Sequence, residues 1–205
     1  MSDNRQYQTL LAAAAEKLST IYPTRLALRA ALDLDEEEND FWFRSFGKEY
    51  RLRCSDWSIK PATNMWHHII ILQYLAGANG LPPTSEWVAL RDIIPGSDAR
   101  AAEFEREFRK RFEILGQYEP QQLRRICRKL GAEFRYDESA DLSAIFPFMP
   151  QYPIRLNFWF QDEEFPASGK LLVNAGVRTC LNMETVGELM LMIMRRLCAE
   201  GRRLK

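Results

Sequence analysis

The sequence lacks a net charge, because 28 basic residues balance 28 acidic ones over 205 positions. That balance removes whole-protein attraction to nucleic acid or to an anionic bilayer and leaves only local patches. Long apolar runs are also missing. Stretches such as Ile69 to Leu72 fall far short of the roughly 20 residues that span a bilayer, so no membrane partner is expected. Cysteine is scarce: Cys54, Cys127, Cys180 and Cys198 form no CxxC or CxxxC pair, which excludes iron–sulfur and structural zinc signatures. No metal is assigned, and each thiol is expected to be a small buried apolar group. The start has no basic stretch ahead of an apolar one and reads as a helix, so a cytoplasmic chain with reduced thiols is expected. Neither a GxGxxG loop, a Walker-type phosphate loop nor a GxSxG elbow occurs, and nucleotide-dependent and serine-hydrolase chemistry lose their usual carriers.

What is present is globular. Hydrophobic residues at 46%, aromatics at 12% and charges at 27% predict one α+β domain over residues 1–205. A chain of this length can bury about 70% of its unfolded surface. Residues 1–40 form an N-terminal helical portion, with Leu10, Leu11, Ala14, Leu18 and Ile21 at helical spacing and a short helix after Pro23. Six acids in residues 33–40 read as a solvated connection. Residues 41–54 then alternate as two aromatic strands around Gly47-Lys48, a type II′ hairpin with glycine first.

Residues 64–75 (NMWHHIIILQYL) are apolar on nearly every side and predict a helix buried in the middle of the fold. Ser85 caps a short helix over residues 86–92, and Ser97 caps a longer one whose stripe is Phe104, Phe108, Phe112 and Leu115. Glu105/Arg109 and Glu107/Arg111 pair along it. Another helix follows Pro120 and stops at Gly131. Three prolines and the alternation Ile154, Leu156, Phe158, Phe160 predict a second strand region, partnered by residues 171–176. A mostly antiparallel sheet from the two hairpins, covered by helices, is the expected architecture. The last helix opens on a Thr185-x-x-Glu188 capping box and is apolar all round at residues 189–194. Met190, Met192 and Met194 are therefore expected not all to be buried within one chain; the helix is either central or a homo-oligomer interface.

Chemistry has few carriers. His67 and His68 are the only histidines, and helix neighbours point about 100° apart, so they cannot share a metal and one should face out of the core, where it would serve as a single general base, an axial ligand or a ligand-binding side chain. Asp162, Glu163 and Glu164 crowd a turn framed by Trp159 and Phe165-Pro166, where they could hold a hard cation or supply an acid–base pair. Pro166 restricts the residue before it, which leads us to expect a held Glu164 carboxylate paired with Arg91. A ligand pocket between the buried helix and this hairpin would have Trp87, Trp159 and Phe165 as walls and Arg91 as an anion anchor. Residues 100–135 hold ten basic and six acidic residues; the mixed signs make a nucleic-acid partner an unfavoured reading.

FGKEY at 46–50, ILQYL at 71–75 with Gly77, SEWVALR at 85–91 with Pro95-Gly96, Phe158-Trp159 ahead of Glu164-Phe165-Pro166-Ala167, and Leu181-x-x-Glu184 occur in that order. Together they resemble a prokaryotic family known as a domain of unknown function, DUF3786, over residues 41–197. The family is common in anaerobes, and some members carry an added iron–sulfur segment that this chain lacks, which implies one-carbon, corrinoid or tetrapyrrole metabolism. Two departures stand out. The family more often has His-Tyr-Leu where this chain has Gln73-Tyr74-Leu75, and Thr-Glu-Asp where it has Met183-Glu184-Thr185. Three functions stay open: a non-catalytic small-molecule-binding or accessory protein, an enzyme with Asp162 or Glu164 as acid or base, and a protein-interaction module. No cofactor and no catalytic residue is assigned.

Overall fold

The computed structural model describes residues 2–93 and 98–204. Ser97 and the Pro95-Gly96 pair lie outside them. Helix α1 (Ser2–Ser19) is followed by α2 (Pro23–Ala30), whose first position is proline and whose end is Ala31 in the left-handed region with φ 53°. The chain then forms β1 (Asp33–Asp35), β2 (Asp40–Ser45), β3 (Lys48–Arg53) and β4 (Ile59–Lys60), an antiparallel sheet in sequence order. Phe41, Phe43, Tyr50 and Leu52 face the core, while Trp42 turns outward beneath the Arg51 guanidinium at 5.5 Å. The acidic segment is thus no mere connection. Its first three residues pair with β2, Asp35 Oδ1 accepts the Glu37 and Glu38 amides, and buried Asp40 is paired with Arg51.

The hairpin turn falls one residue earlier than its glycine suggested. Ser45 stands opposite Lys48, so Phe46 and Gly47 are the two turn residues, at φ 49° and 76°, which is a type I′ and not a II′ arrangement. A bulky residue in that region costs about 1–3 kcal/mol and persists only where its surroundings demand it. Here they do. Phe46 is 1% exposed, lies against the rings of His67 and Phe148 at 5.7 Å each, and donates its N–H to the Pro147 carbonyl at 2.8 Å. Gly47 meets Gly131 backbone to backbone; a Cβ on Gly47 would sit 2.9 Å from the Gly131 nitrogen.

Helix α3 (Met65–Gly77) is capped by Asn64 and is buried on every face, as the unbroken apolar pattern requires. The remaining strands form a second antiparallel sheet. They are β5 (Trp87–Val88), β6 (Glu133–Arg135), β7 (Leu142–Phe146), β8 (Ile154–Trp159) and β9 (Ser168–Asn174), ordered β5-β9-β8-β7-β6. The two hairpins therefore do not merge into one sheet, because β1 and β4 occupy the edges of the first while β5 and β7 flank the β8–β9 pair. Residues 86–92 are not a helix either. Asn174 holds Thr84 through its backbone on both sides (2.7 and 3.0 Å), which draws Trp87–Val88 into register with Val173 and Asn174 and leaves only a 3₁₀ turn at Leu90–Asp92.

Helices α4 (Asp98–Leu115) and α5 (Pro120–Lys129) pack on α6 (Met183–Arg202), which also touches α3. Helix α6 starts at the Asn182 cap, whose side chain accepts the Thr185 amide at 2.8 Å, three residues before the Thr185–Glu188 box would place it. Met190, Met192 and Met194 are all buried within the one chain, at 0%, 7% and 0% exposure, against the expectation that they would not be. The helix is central, ringed by α3, α4 and α5, so its methionines supply no argument for an oligomer. One contiguous hydrophobic core runs through both sheets and all these helices. Among the described residues no helix is long and apolar enough to cross a membrane.

Candidate functional site

A cleft lies between α4 and the start of β9, with the 3₁₀ turn at one end, and not beside α3. Its floor is the apolar stripe of α4, Phe108 and Phe112, continued by Leu90 and Leu171. Phe112 meets Phe158 edge-on at 6.3 Å, which anchors the floor in the core. Gly169 lets the strand come this close, since a Cβ there would lie 2.6 Å from the Phe112 ring. Trp159, the last residue of β8, is the wall; its indole N–H donates to the Ser139 carbonyl at 2.5 Å, which sets the ring's orientation. The cleft, open on one side, has a volume of about 670 Å³.

Charges surround this space in balance, with Arg91, Arg109 and Lys170 against Asp92, Glu105 and Glu113. Arg91 grips Glu105 with both Nε and Nη2, the former at 2.9 Å, so Glu105 is drawn to Arg91 and not to Arg109. On the outer face of α4, Glu107 takes Lys110 and Arg111, each at 2.7 Å, and these bonds pull its pKa down to about 2. A second space of about 600 Å³ continues along α4 towards Pro120 and shares Glu113, Pro166 and Ala167 with the first.

The acidic turn is the outer lip. Asp162 accepts the amides of Phe165 (2.7 Å) and Glu164 (2.9 Å), and these backbone bonds hold its pKa below the usual carboxylate range. Glu164 itself is exposed, and the Arg91 it was expected to meet is on Glu105. Phe165 is 66% exposed. Of the residues singled out from the sequence, Arg91 and Trp159 line the cleft, while Asp162, Glu164 and Phe165 belong to the lip beside it. Trp87 packs elsewhere. It lies beneath the Arg155 guanidinium at 5.8 Å, and Arg155 is tied to Asp137, Ser143 and Asn157.

His67 and His68 stand apart from the cleft, and both are buried, contrary to the expectation that one would face outward. Each found partners that the sequence could not indicate. His68 Nε2–H donates to the Trp57 carbonyl at 2.7 Å and its Nδ1 accepts the Tyr7 hydroxyl at 3.0 Å. His67 lies among Ser45, Thr63 and Arg196 at 2.8–3.0 Å, and burial, with Arg196 beside it, drives its pKa down to about 3. Among the described residues no group of three or more His, Cys, Asp or Glu stands close enough to hold a metal.

Residues 23–196 match the family model described as Domain of unknown function (DUF3786). The chain belongs to the DUF3786 family. No curated protein and no solved structure matches it. The matched span of this DUF3786 domain runs from α2 to Arg196 on α6 and so contains both sheets and the whole cleft. One residue from each of the two departing segments meets the other: the Thr185 hydroxyl donates to Gln73 Oε1 at 2.8 Å, a neutral pair. On α5, Arg124 and Arg128 each lie 5.2 Å from the Phe134 ring, while Arg125 and Lys129 are exposed.

Helical spacing marks Phe108 and Phe112 as core residues only, and no motif in the sequence singles out Lys170 or Gly169 as part of a site. The detectable signal was the glycine entering a strand beside an aromatic stripe, a place where backbone approaches closely.

Proposed function

We propose that this DUF3786 domain is a cytoplasmic, non-catalytic small-molecule-binding or accessory protein that takes a flat, largely apolar ligand in the α4–β9 cleft. The observation that carries this reading is the union of an aromatic and aliphatic floor with a single indole wall in a space of about 670 Å³. Small-molecule sites are typically concave, mostly apolar and roughly 300–1,000 Å³. Because the rim charges cancel and Arg91 is committed to Glu105, the ligand is selected by shape and apolar area more than by charge. The free state of all four cysteines fits a reducing compartment. Asp162 serves the turn and Glu164 is solvated, so the acid–base role weighed for them is not part of this proposal.

The test uses 8-anilinonaphthalene-1-sulfonate, a flat apolar dye, titrated into the full chain. Binding with one-to-one stoichiometry is expected, weakened about tenfold or about 1.4 kcal/mol by Trp159→Ala. Equal binding by the wild type and the variant, with the same fold by circular dichroism, would refute the cleft as the site.

A further inference from the structure

Arg196 near the end of α6 is half-buried, yet among the described residues no carboxylate forms an ion pair with it. Its neighbours are neutral. Nη2 donates to His67 Nδ1 at 3.0 Å, the Tyr50 hydroxyl is close, and the plane lies over the Phe46 ring at 4.9 Å. His67 cannot supply the missing negative charge, nor can it turn cationic easily. Its Nδ1 accepts from both Arg196 and the Thr63 hydroxyl (2.8 Å), so its proton sits on Nε2 and is donated to Ser45 Oγ at 2.9 Å. Taking a charge out of water without a counter-charge is costly, and a guanidinium has five N–H donors, more than these partners use.

Arg196 also lines an open pocket of about 190 Å³, together with Trp66, Met192, Asn64, Arg195, Glu188 and Ala199. A cavity of about 150 Å³ is enough for benzene, so a single ring fits. Glu188 is held loosely by Arg195 at 3.9 Å and keeps one negative charge on the wall. That charge disfavours a dianion and leaves room for a monoanion.

We propose that this cavity, separate from the α4–β9 cleft, binds a small monocarboxylate. Its carboxylate is forked on the Arg196 guanidinium, which matches a planar two-oxygen group. Its apolar part rests against Trp66 and Met192.

The test is calorimetric titration of the full chain at pH 7 with benzoate and, separately, with inorganic phosphate. Benzoate is expected to bind one-to-one and phosphate more weakly. Arg196→Lys keeps the charge but loses the fork, and is expected to weaken benzoate at least tenfold. Ala199→Trp fills the rim beside Arg196 and is expected to abolish binding, which keeps the test decisive if the lysine variant fails to fold. Trp159→Ala, which alters only the cleft, should leave benzoate affinity unchanged. No benzoate binding, equal affinity in the folded Arg196→Lys protein, or tighter binding of phosphate would each overturn the proposal.

Discussion

Two regions of this molecule handle polar groups in opposite ways. Under α3 and α6, buried His67, Ser45 and Tyr50 bond to half-buried Thr63 and Arg196, and only part of the Arg196 guanidinium is left without a partner. Around the α4–β9 cleft, Arg91, Glu105, Arg109, Lys170 and Glu113 sit at the rim of an apolar floor and keep contact with solvent. Burial converts each polar atom of the first region into an obligation, since an unpaired buried group costs about 1–3 kcal/mol. Rim charges carry no such obligation, because exposed ion pairs contribute about 0–1 kcal/mol. Stability should therefore be concentrated at the first region, and substitutions at the second should cost little stability.

The sharpest way to break that contrast is Phe46→Ala. Phe46 carries the strained turn and the packing over His67, and its truncation should cost about 3–5 kcal/mol in urea unfolding. A loss under about 1 kcal/mol would mean that the turn, and not the packing, defines the region. Next in size, His67→Leu leaves Ser45, Thr63 and Arg196 without a shared partner and should destabilise by about 1–3 kcal/mol by the same measurement.

Acid should act on the same place. Both histidines have folded pKa values below the ordinary 6.5, His67 down to about 3 and His68 in the same direction, each mainly through burial. The unfolded chain therefore binds protons first as pH falls below 6.5, and stability is full above that pH and declines towards 3. The slope from one such histidine is at most about 1.4 kcal/mol per pH unit. Unfolding curves at pH 7 and 5 should separate for the wild type, and less so for His67→Leu; equal shifts in both would remove His67 from the explanation. At the cleft lip the effects shrink. Asp162→Ala should cost about 0.5–1.5 kcal/mol by freeing the Glu164 and Phe165 amides, whereas Glu164→Gln should stay within about 0.5 kcal/mol.

The contrast also explains which parts could be read from sequence. Local periodicity reports burial, so the wholly apolar α3, the phenylalanine stripe of α4 and the alternation of β8 were legible. Features set by distant partners were not. The turn at Phe46-Gly47 depends on Pro147 and Phe148, the β5 strand depends on Asn174, and the His67–Arg196 contact spans 129 positions. The apolar helix α6 was legible as apolar, but its enclosure by three other helices was not, because no residue of α6 states how many neighbours surround it. At the cleft, Arg91 and Trp159 were found through their side chains. The floor was missed because a phenylalanine lining a ligand site and one filling a core obey the same spacing.

The central claim is that the α4–β9 cleft holds a small molecule. Native mass spectrometry of protein purified without refolding from its own cells tests this most directly, comparing the wild type with Gly169→Val, whose side chain would meet Phe112 at the cleft floor. The expected result is a wild-type mass exceeding that of the chain by one small molecule, and a folded variant at the bare chain mass. A wild type at the bare mass, or the same added mass on the folded variant, would contradict it.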